Sequence, residues 1–149
     1  ASPNHPKSRG QITLNSFDPY EYPKILFNYL KEEEDLKQTR ECIHVARKIL
    51  AQPALAEHAG DEVGPGFDAQ SDDELNEYIR SKADTAYHPC GTCKMGVDDM
   101  AVVDQDLKVN GIGNLRVIDA SVIPEIPSAN LNAPTLMIAE KGSEAILNN

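Results

Sequence analysis

The sequence lacks tryptophan altogether and has few other aromatic residues, with three Phe and five Tyr among 149 residues. A hydrophobic core must therefore come mainly from Leu, Ile, Val and Ala, and with apolar residues at only 40% the chain is lean for a free-standing domain. Basic residues are also scarce. The sequence has 14 Lys and Arg against 24 Asp and Glu, which gives a formal charge of -10. Because this charge repels phosphate groups, no nucleic acid partner is expected.

The sequence also has few cysteines and no long apolar run. Only Cys42, Cys90 and Cys93 are present, too few for the disulfide framework of a small secreted protein. The apolar run at residues 133–139 is much shorter than the roughly 20 residues that a membrane span requires. The chain starts with neither Met nor an apolar signal peptide. We therefore expect a cytoplasmic protein, and a sequence that begins inside a longer chain.

Hydrophobic periodicity and helix-capping patterns predict a mixture of helices and strands. Ser71 and Glu74 fit the capping box, in which each side chain bonds a backbone N–H of the other residue at a helix start. Pro134 suits a first helical turn, where its missing N–H costs nothing. The predicted elements are a strand within residues 9–16, helices over 35–51 and about 72–83, short strands at 101–103 and 107–109 joined by a hairpin turn, a largely buried strand over 114–120, and a helix from Pro134 to about Leu147.

Residues 87–96, YHPCGTCKMG, carry the most distinctive chemistry. Structural zinc normally needs two close ligand pairs, and Cys90 with Cys93 supply only one. A thioredoxin-like pair should open a helix that lowers a thiol pKa, whereas Cys93 is followed by a loop-like Lys-Met-Gly. A small zinc or redox domain thus stays an alternative. The residues alone leave His88 either as a catalytic histidine aimed by a glycine turn, or as a polar residue beside a turn with the cysteines as small buried hydrophobes.

Three motifs in order resemble the C-terminal region of the glucose-methanol-choline (GMC) oxidoreductases. They are His88-x-x-Gly91-Thr92-x-x-Met95-Gly96, then LRVIDAS at 115–121, then NLNAPT at 130–135 ahead of IAEK at 138–141. Within the family, the sequence is similar in particular to the choline dehydrogenases. That similarity lies in HPKSRG at 5–10, PKILFNY at 23–29 and HPCGTCKMG at 88–96.

The resemblance implies an FAD-dependent enzyme that oxidises a primary alcohol by hydride transfer to the flavin, with choline converted to betaine aldehyde in glycine betaine synthesis. It implies that His88 accepts the hydroxyl proton or, as imidazolium, stabilises the developing negative oxygen. It places Asn130 opposite, bonded to the same substrate oxygen. From the residues alone, Asn130 is equally a turn or capping residue ahead of a helix.

The resemblance also implies sites for the cofactor and the substrate. Asp119 and Ala120 resemble the segment whose backbone approaches the FAD, while Asn132 and Ala133 resemble the segment that meets the flavin ring, near a helix dipole that could stabilise reduced flavin. An ordinary strand end and an ordinary helix start would explain the same four residues. A trimethylammonium group would need aromatic faces, and no metal is expected. The candidate aromatic residues are Tyr20, Tyr22, Tyr29 and Tyr87.

The glycine-rich turn that holds a dinucleotide pyrophosphate is missing, since the nearest pattern, at 111–116, precedes a predicted strand. By resemblance, residues 1–95 belong to the substrate domain and residues 96–149 return into the FAD-binding domain. We therefore expect an α+β module, an antiparallel sheet with packed helices, whose partner is an N-terminal FAD-binding region. The chain alone should neither retain FAD nor oxidise alcohols. Peripheral contact with the inner face of the cell membrane is implied, and a non-catalytic interaction module of the same fold is the alternative.

Overall fold

A computed structural model describes residues 2–148, which divide into two compact units between Asp84 and Thr85. The predicted α+β class is confirmed, because the described residues contain three α-helices and one two-stranded antiparallel sheet. The predicted division at residue 95 concerns the two domains of a complete enzyme and stays a prediction. Among residues 2–148, no helix is both long and apolar enough to cross a bilayer. The elements are β1 (Gln11–Thr13), β2 (Lys24–Leu26), α1 (Glu33–Leu50), α2 (Asp72–Lys82) and α3 (Asn132–Leu147), with short 3₁₀ helices at Pro53–Leu55 and Ala120–Val122.

The sheet of the first unit consists of β1 and β2, which place Ile12 opposite Ile25. Sequence periodicity predicted β1 and missed β2. All residues of both strands are exposed, so the alternation of polar and apolar residues does not mark a buried face here. Gly10, just before β1, is required by a close approach, because a Cβ there would lie 2.8 Å from the Phe27 carbonyl oxygen and closer still to that of Leu26.

The first unit also contains α1 and α2, which pack against each other. They bury Leu36 of α1 and Leu75 and Ile79 of α2. The predicted capping box is confirmed at the start of α2. The Ser71 N–H donates to the Glu74 carboxylate at 2.9 Å, and the Glu74 N–H donates to the Ser71 hydroxyl at 3.3 Å.

The C-terminal end of α1 is held by Arg47. With 11 residues against 18, α2 is too short to cover the full length of α1. The Arg47 guanidinium instead binds the Glu62 carboxylate at 2.9 Å and donates to the carbonyl oxygens of Gly66 and Ala69, each at 3.0 Å. One side chain thus fixes the glycine-rich loop that follows α1.

The carboxylate of Asp35 ties the N-terminal segment to α1. Its side chain accepts hydrogen bonds from the Lys7 N–H at 2.6 Å, the Ser8 N–H at 2.8 Å and the Ser8 hydroxyl, and the residue is only 2% exposed. Burial raises the pKa of this carboxyl, but the hydrogen bonds from Ser8 and Lys7 and the charge of Arg9 outweigh it. The pKa of Asp35 is therefore held below its ordinary value of 3.8.

The second unit is built around α3 and the segments that pack on it. A predicted hairpin turn is confirmed here, since the Asp104 N–H donates to the Lys108 carbonyl and the Leu107 N–H to the Asp104 carbonyl, both at 3.0 Å. Its arms pair through an isolated antiparallel bridge between Val103 and Val109, and the Asn110 N–H donates to the Val102 carbonyl at 2.9 Å. The buried core consists of Val103, Leu107, Val122, Ile123, Leu131 and Ile138.

The predicted buried strand at 114–120 is wrong. Arg116 forms a single bridge with Lys108, and Leu115 is 47% exposed. The hairpin arm that pairs with residues 114–120 is short. The chain then enters the 3₁₀ helix at Ala120–Val122, so the backbone pairing cannot extend into a strand.

The helix α3 begins two residues before the predicted start. Pro134 is its third residue, still within the first turn, where a missing N–H breaks no helical bond. Farther along, Gly142 is buried against the half-buried side chain of Ile118. A Cβ at Gly142 would lie 2.8 Å from Ile118 Cδ1 and closer still to Cγ2. The helix backbone and the segment that leads into the 3₁₀ helix are therefore in direct contact.

Gly142→Ala should destabilise the chain by about 1–3 kcal/mol, because the added methyl overlaps Ile118. At an open helical position the same change would stabilise by about 1 kcal/mol. Urea unfolding measures the free energy of unfolding of Gly142→Ala against the wild type, and of Ile118→Ala/Gly142→Ala against Ile118→Ala. The change at residue 142 should cost less in the Ile118→Ala background, where the overlapping atoms are gone. An equal cost in both backgrounds would contradict the contact.

The free energy of unfolding should depend on pH through Asp35. Because its pKa is lower in the folded chain than in the unfolded chain, its contribution is complete above the unfolded value and is lost as the pH falls through the folded value. The stability difference between the wild type and Asp35→Asn should therefore shrink below about pH 4. Asp68→Asn, at an exposed aspartate of the same unit, is the control. A difference that stays constant from pH 6 to pH 3 would count against this role.

Candidate functional site

Residues 88–96 are named here the His88 segment, and the C-terminal part of this segment is fixed along one side by the 3₁₀ helix of the second unit. The Cys93 N–H donates to the Ser121 carbonyl at 2.9 Å, and the Met95 N–H donates to the Val122 carbonyl at 2.8 Å. These bonds alternate along the segment as they would along a strand. The middle of the motif is thereby anchored to the core of the unit.

The other side of the His88 segment pairs with the start of the hairpin. The Val102 N–H donates to the Lys94 carbonyl at 2.9 Å, and the Gly96 N–H donates to the Val103 carbonyl at 3.1 Å. The Lys94 ammonium also binds the Asp98 carboxylate at 2.8 Å, and this hydrogen bond holds the pKa of Asp98 below its ordinary value. The segment is thus bonded on both flanks.

His88 itself lies at the start of this anchored segment and is half-buried. The preceding residue, Tyr87, has φ of +60°, which is rare for a bulky side chain, and its N–H donates to the Thr85 hydroxyl at 3.0 Å. Among the described residues, the His88 imidazole makes no hydrogen bond.

Gly91 forms the turn between His88 and the anchored residues. Its φ is +87°, a conformation that side chains rarely adopt, and a Cβ there would lie 3.1 Å from the Ile123 carbonyl oxygen. Conformation and space both favour glycine at this position. The glycine turn of the motif is therefore a structural feature of the site.

The cysteines of the motif form no disulfide in the described part of the chain. Cys90 is partly buried and packs against the hydrophobic core, so it has the packing role of a small apolar residue. Within residues 2–148, no group of three or more His, Cys, Asp or Glu side chains is placed to hold a metal ion.

Asn130 is exposed and lies two residues before α3. It is not the cap of that helix, because Leu131 occupies the cap position and the helix starts without a side-chain capping bond. Asn132 and Ala133 form the exposed start of the first turn. The backbone N–H groups of this turn therefore have no side-chain acceptor, which is how a helix start can receive an anionic group.

Asp119 and Ala120 lie at the start of the 3₁₀ helix that anchors the His88 segment. The Asp119 carboxylate accepts a hydrogen bond from the Ser121 N–H at 2.7 Å, so this side chain is committed to the turn. Ala120 is partly buried against the core. The structure thus connects Asp119 and Ala120 with the His88 segment.

The six predicted site residues all belong to the second unit. No hydrogen bond joins His88 to Asn130 in the described part of the chain. Two open surface depressions, one on α1 and one near the end of α3, are lined by none of these six residues.

Sequence reasoning missed the anchoring role of Ser121 and Val122. Both act through their backbone carbonyls, which any residue could supply, so no side chain marks them. The sequence signal that could have indicated this turn is Asp119, because an aspartate often accepts a hydrogen bond from the N–H two residues farther along.

Comparison with known proteins decides the family. The GMC oxidoreductase family model matches residues 6–139. The chain belongs to the GMC oxidoreductase family. It is 52% identical over 139 residues to an oxygen-dependent choline dehydrogenase from Klebsiella pneumoniae and 50% identical over 149 residues to one from Photobacterium profundum, covering 93% and 99% of this chain. The family resemblance expected from the three motifs is confirmed. The chain spans only 25% and 26% of the lengths of these two relatives.

Solved structures of GMC-like fold agree with this assignment. Pyridoxine 4-oxidase from Mesorbium loti matches with a TM-score of 0.92 at 32% identity, over 98% of this chain and 28% of that enzyme. A fungal aryl-alcohol oxidase matches with a TM-score of 0.89 at 34% identity, over 97% of this chain and 24% of that enzyme. A formate oxidase from Aspergillus oryzae, in a structure that concerns FAD modification, matches with a TM-score of 0.88 at 34% identity, over 95% of this chain and 25% of that enzyme.

Gly91→Ala should destabilise the chain by about 1–2 kcal/mol from its left-handed backbone alone, with an added cost from the contact with Ile123. Two matched variants separate these causes. Gly111 has φ of +78° but nothing within 4 Å of a Cβ, and Gly113 has neither restriction. Urea unfolding should rank the losses as Gly91→Ala, then Gly111→Ala, then Gly113→Ala. If Gly91→Ala cost no more than Gly111→Ala, the close approach to Ile123 would have no energetic weight.

Proposed function

We propose that this chain forms the C-terminal region of an FAD-dependent choline dehydrogenase that oxidises choline to betaine aldehyde, a step in glycine betaine synthesis. The observation that carries the proposal is the 50–52% identity to oxygen-dependent choline dehydrogenases over almost the whole chain. The anchoring of residues 93–96, which follow His88 in the same motif, supports it from the structural side. The chain represents about a quarter of such an enzyme, and the remaining part would supply the N-terminal FAD-binding region as its partner.

His88 is the proton acceptor in this proposal. An alcohol is a poor hydride donor until its hydroxyl proton leaves, and an imidazole whose pKa lies near neutrality in its ordinary state can take that proton at a ring nitrogen. As imidazolium it can also stabilise the negative charge that develops on the oxygen. The absence of a hydrogen bond to the imidazole from the described residues leaves either nitrogen able to do so.

The start of α3 fits a flavin. FAD, when bound, accepts the hydride from the alcohol carbon. Asn132 and Ala133 form an exposed first turn without a side-chain cap, so their N–H groups and the positive end of the helix can face an anionic ring. Asn130 supplies an amide that can bond the substrate oxygen without titrating. The Asp119–Ala120 backbone is proposed to approach the cofactor, since the Asp119 side chain is already bonded within its turn.

Recognition of the trimethylammonium group is proposed to use an aromatic face, because a quaternary cation is attracted to the π-electrons of a ring. Tyr87 is adjacent to His88 and 78% exposed. Its backbone φ of +60° is rare for a bulky side chain. Tyr20, Tyr22 and Tyr29 belong to the first unit. For the whole enzyme, the proposal includes a cytoplasmic location with peripheral contact at the inner face of the cell membrane.

The test is His88→Ala in the full-length gene product that carries these residues. Turnover of choline with an electron-accepting dye should fall by roughly 10²- to 10⁴-fold, because a positioned general base contributes about that much. The ratio of flavin to protein, read from the visible absorption spectrum, should stay unchanged. His44→Ala, at an exposed histidine on α1, is the matched control and should keep wild-type turnover.

The isolated 149-residue chain forms a second arm of this experiment. It should purify without flavin colour and without choline-dependent dye reduction, since the FAD-binding region would be missing. If the full-length product binds flavin but oxidises no choline, or if His88→Ala keeps full turnover, the proposed function is wrong. A non-catalytic module has no turnover to lose in either arm.

A further inference from the structure

The carboxylate of Asp119 organises the 3₁₀ helix that follows it. It accepts the Ser121 N–H at 2.7 Å and thereby caps this turn. The turn is closed by bonds from the Val122 N–H to the Asp119 carbonyl at 3.3 Å and from the Ile123 N–H to the Ala120 carbonyl at 3.2 Å. Both backbone bonds are long, so the side-chain bond is the shortest of the three that fix the turn.

The carbonyls of this same turn hold the His88 segment. Ser121 and Val122 accept the N–H groups of Cys93 and Met95 at 2.9 and 2.8 Å. These two bonds are short and direct, whereas the turn that presents the carbonyls depends on its cap. A change in the conformation of the turn must therefore shift or break them.

Several residues between this anchor and His88 are themselves held in place. Cys90 packs against the hydrophobic core of the unit. Gly91 lies against the Ile123 carbonyl, where a Cβ would be 3.1 Å away. Between Gly91 and His88, Pro89 has a fixed φ and also restricts His88 to extended conformations. A displacement of the turn therefore disturbs the residues that lead to His88.

We infer that Asp119 is a positioning residue for His88, acting through the capped turn and its two carbonyls. The inference rests on the proposed function for the role of His88. Asp119 acts as a hydrogen-bond acceptor in this arrangement and its negative charge is incidental. Asparagine can accept the same N–H with its amide oxygen, whereas alanine cannot. This difference separates positioning from an electrostatic effect of the carboxylate on a bound flavin.

The experiment compares Asp119→Ala and Asp119→Asn in the full-length holoenzyme, with Asp99→Ala at another exposed aspartate of the second unit as the control. Choline is the substrate, with dye reduction as the assay. For Asp119→Ala, kcat should fall roughly 10- to 100-fold while KM changes less than about threefold, because the proton acceptor is misplaced but the substrate contacts remain. Asp119→Asn should recover most of the kcat that Asp119→Ala loses, and Asp99→Ala should stay within about threefold of the wild type.

Hydrogen exchange followed by mass spectrometry provides a readout that does not depend on turnover. In Asp119→Ala, the amides of residues 88–96 should exchange roughly 2- to 30-fold faster, the range expected when a capping hydrogen bond is lost and local opening becomes easier. Asp119→Asn should restore protection. The flavin-to-protein ratio should be the same in all variants.

Two results would overturn the inference. One is an Asp119→Ala enzyme with wild-type kcat and wild-type exchange in residues 88–96. The other is an Asp119→Asn enzyme as impaired as Asp119→Ala, which would assign the effect to charge. Failure of the proposed function would give a different result, namely a wild-type enzyme that contains flavin but does not oxidise choline. The exchange measurement would still report on the hydrogen bonds of residues 88–96 in that case.

Discussion

The hydrogen bonds from Cys93 and Met95 to the carbonyls of Ser121 and Val122 are the interaction on which the second unit depends. They join two stretches almost thirty residues apart and close a loop that contains the hairpin. Val103 from that hairpin and Val122 from the 3₁₀ helix are both fully buried in the same core. The bonds therefore fix part of the His88 segment and help to build the core at the same time, because Cys90 and Met95 of that segment pack against the buried side chains.

The contact between Ile118 and Gly142 extends this arrangement to α3. Ile118 precedes the capped turn directly, so the turn is connected to the His88 segment on one side and to the α3 backbone on the other. Asn132 and Ala133 lie at the start of the same helix. The residues proposed to meet the alcohol and the flavin are thus carried by two elements that share one short support, residues 118–123.

The first unit is held together differently, since the large apolar side chains that it buries among the described residues are Leu36, Leu75 and Ile79. Its helix α1 uses polar side chains to hold neighbouring segments. Asp35 accepts three hydrogen bonds from the N-terminal segment, and Arg47 binds the loop after the helix. Arg40, only 11% exposed at its side chain, donates to Asn76 at 2.6 Å and pairs with Asp72 at 3.2 Å. Such groups can be buried because hydrogen bonds replace the water that they lose.

The sequence by itself determined the features that depend on near neighbours or on a family pattern. The capping box of Ser71 and Glu74, the three helices and the hairpin turn after Asp104 follow from residues within a few positions of each other, and the ordered motifs around His88 and Asn130 identify the family. Only the tertiary structure decided which polar and apolar alternations become strands. Residues 24–26 form a strand because β1 lies beside them. Residues 114–120 form no strand because the hairpin arm that they pair with is too short. The tertiary structure also revealed Asp119 as the cap of the turn that anchors the His88 segment. Pairing and close approach depend on residues distant in the chain, and a local pattern carries no record of where those residues lie.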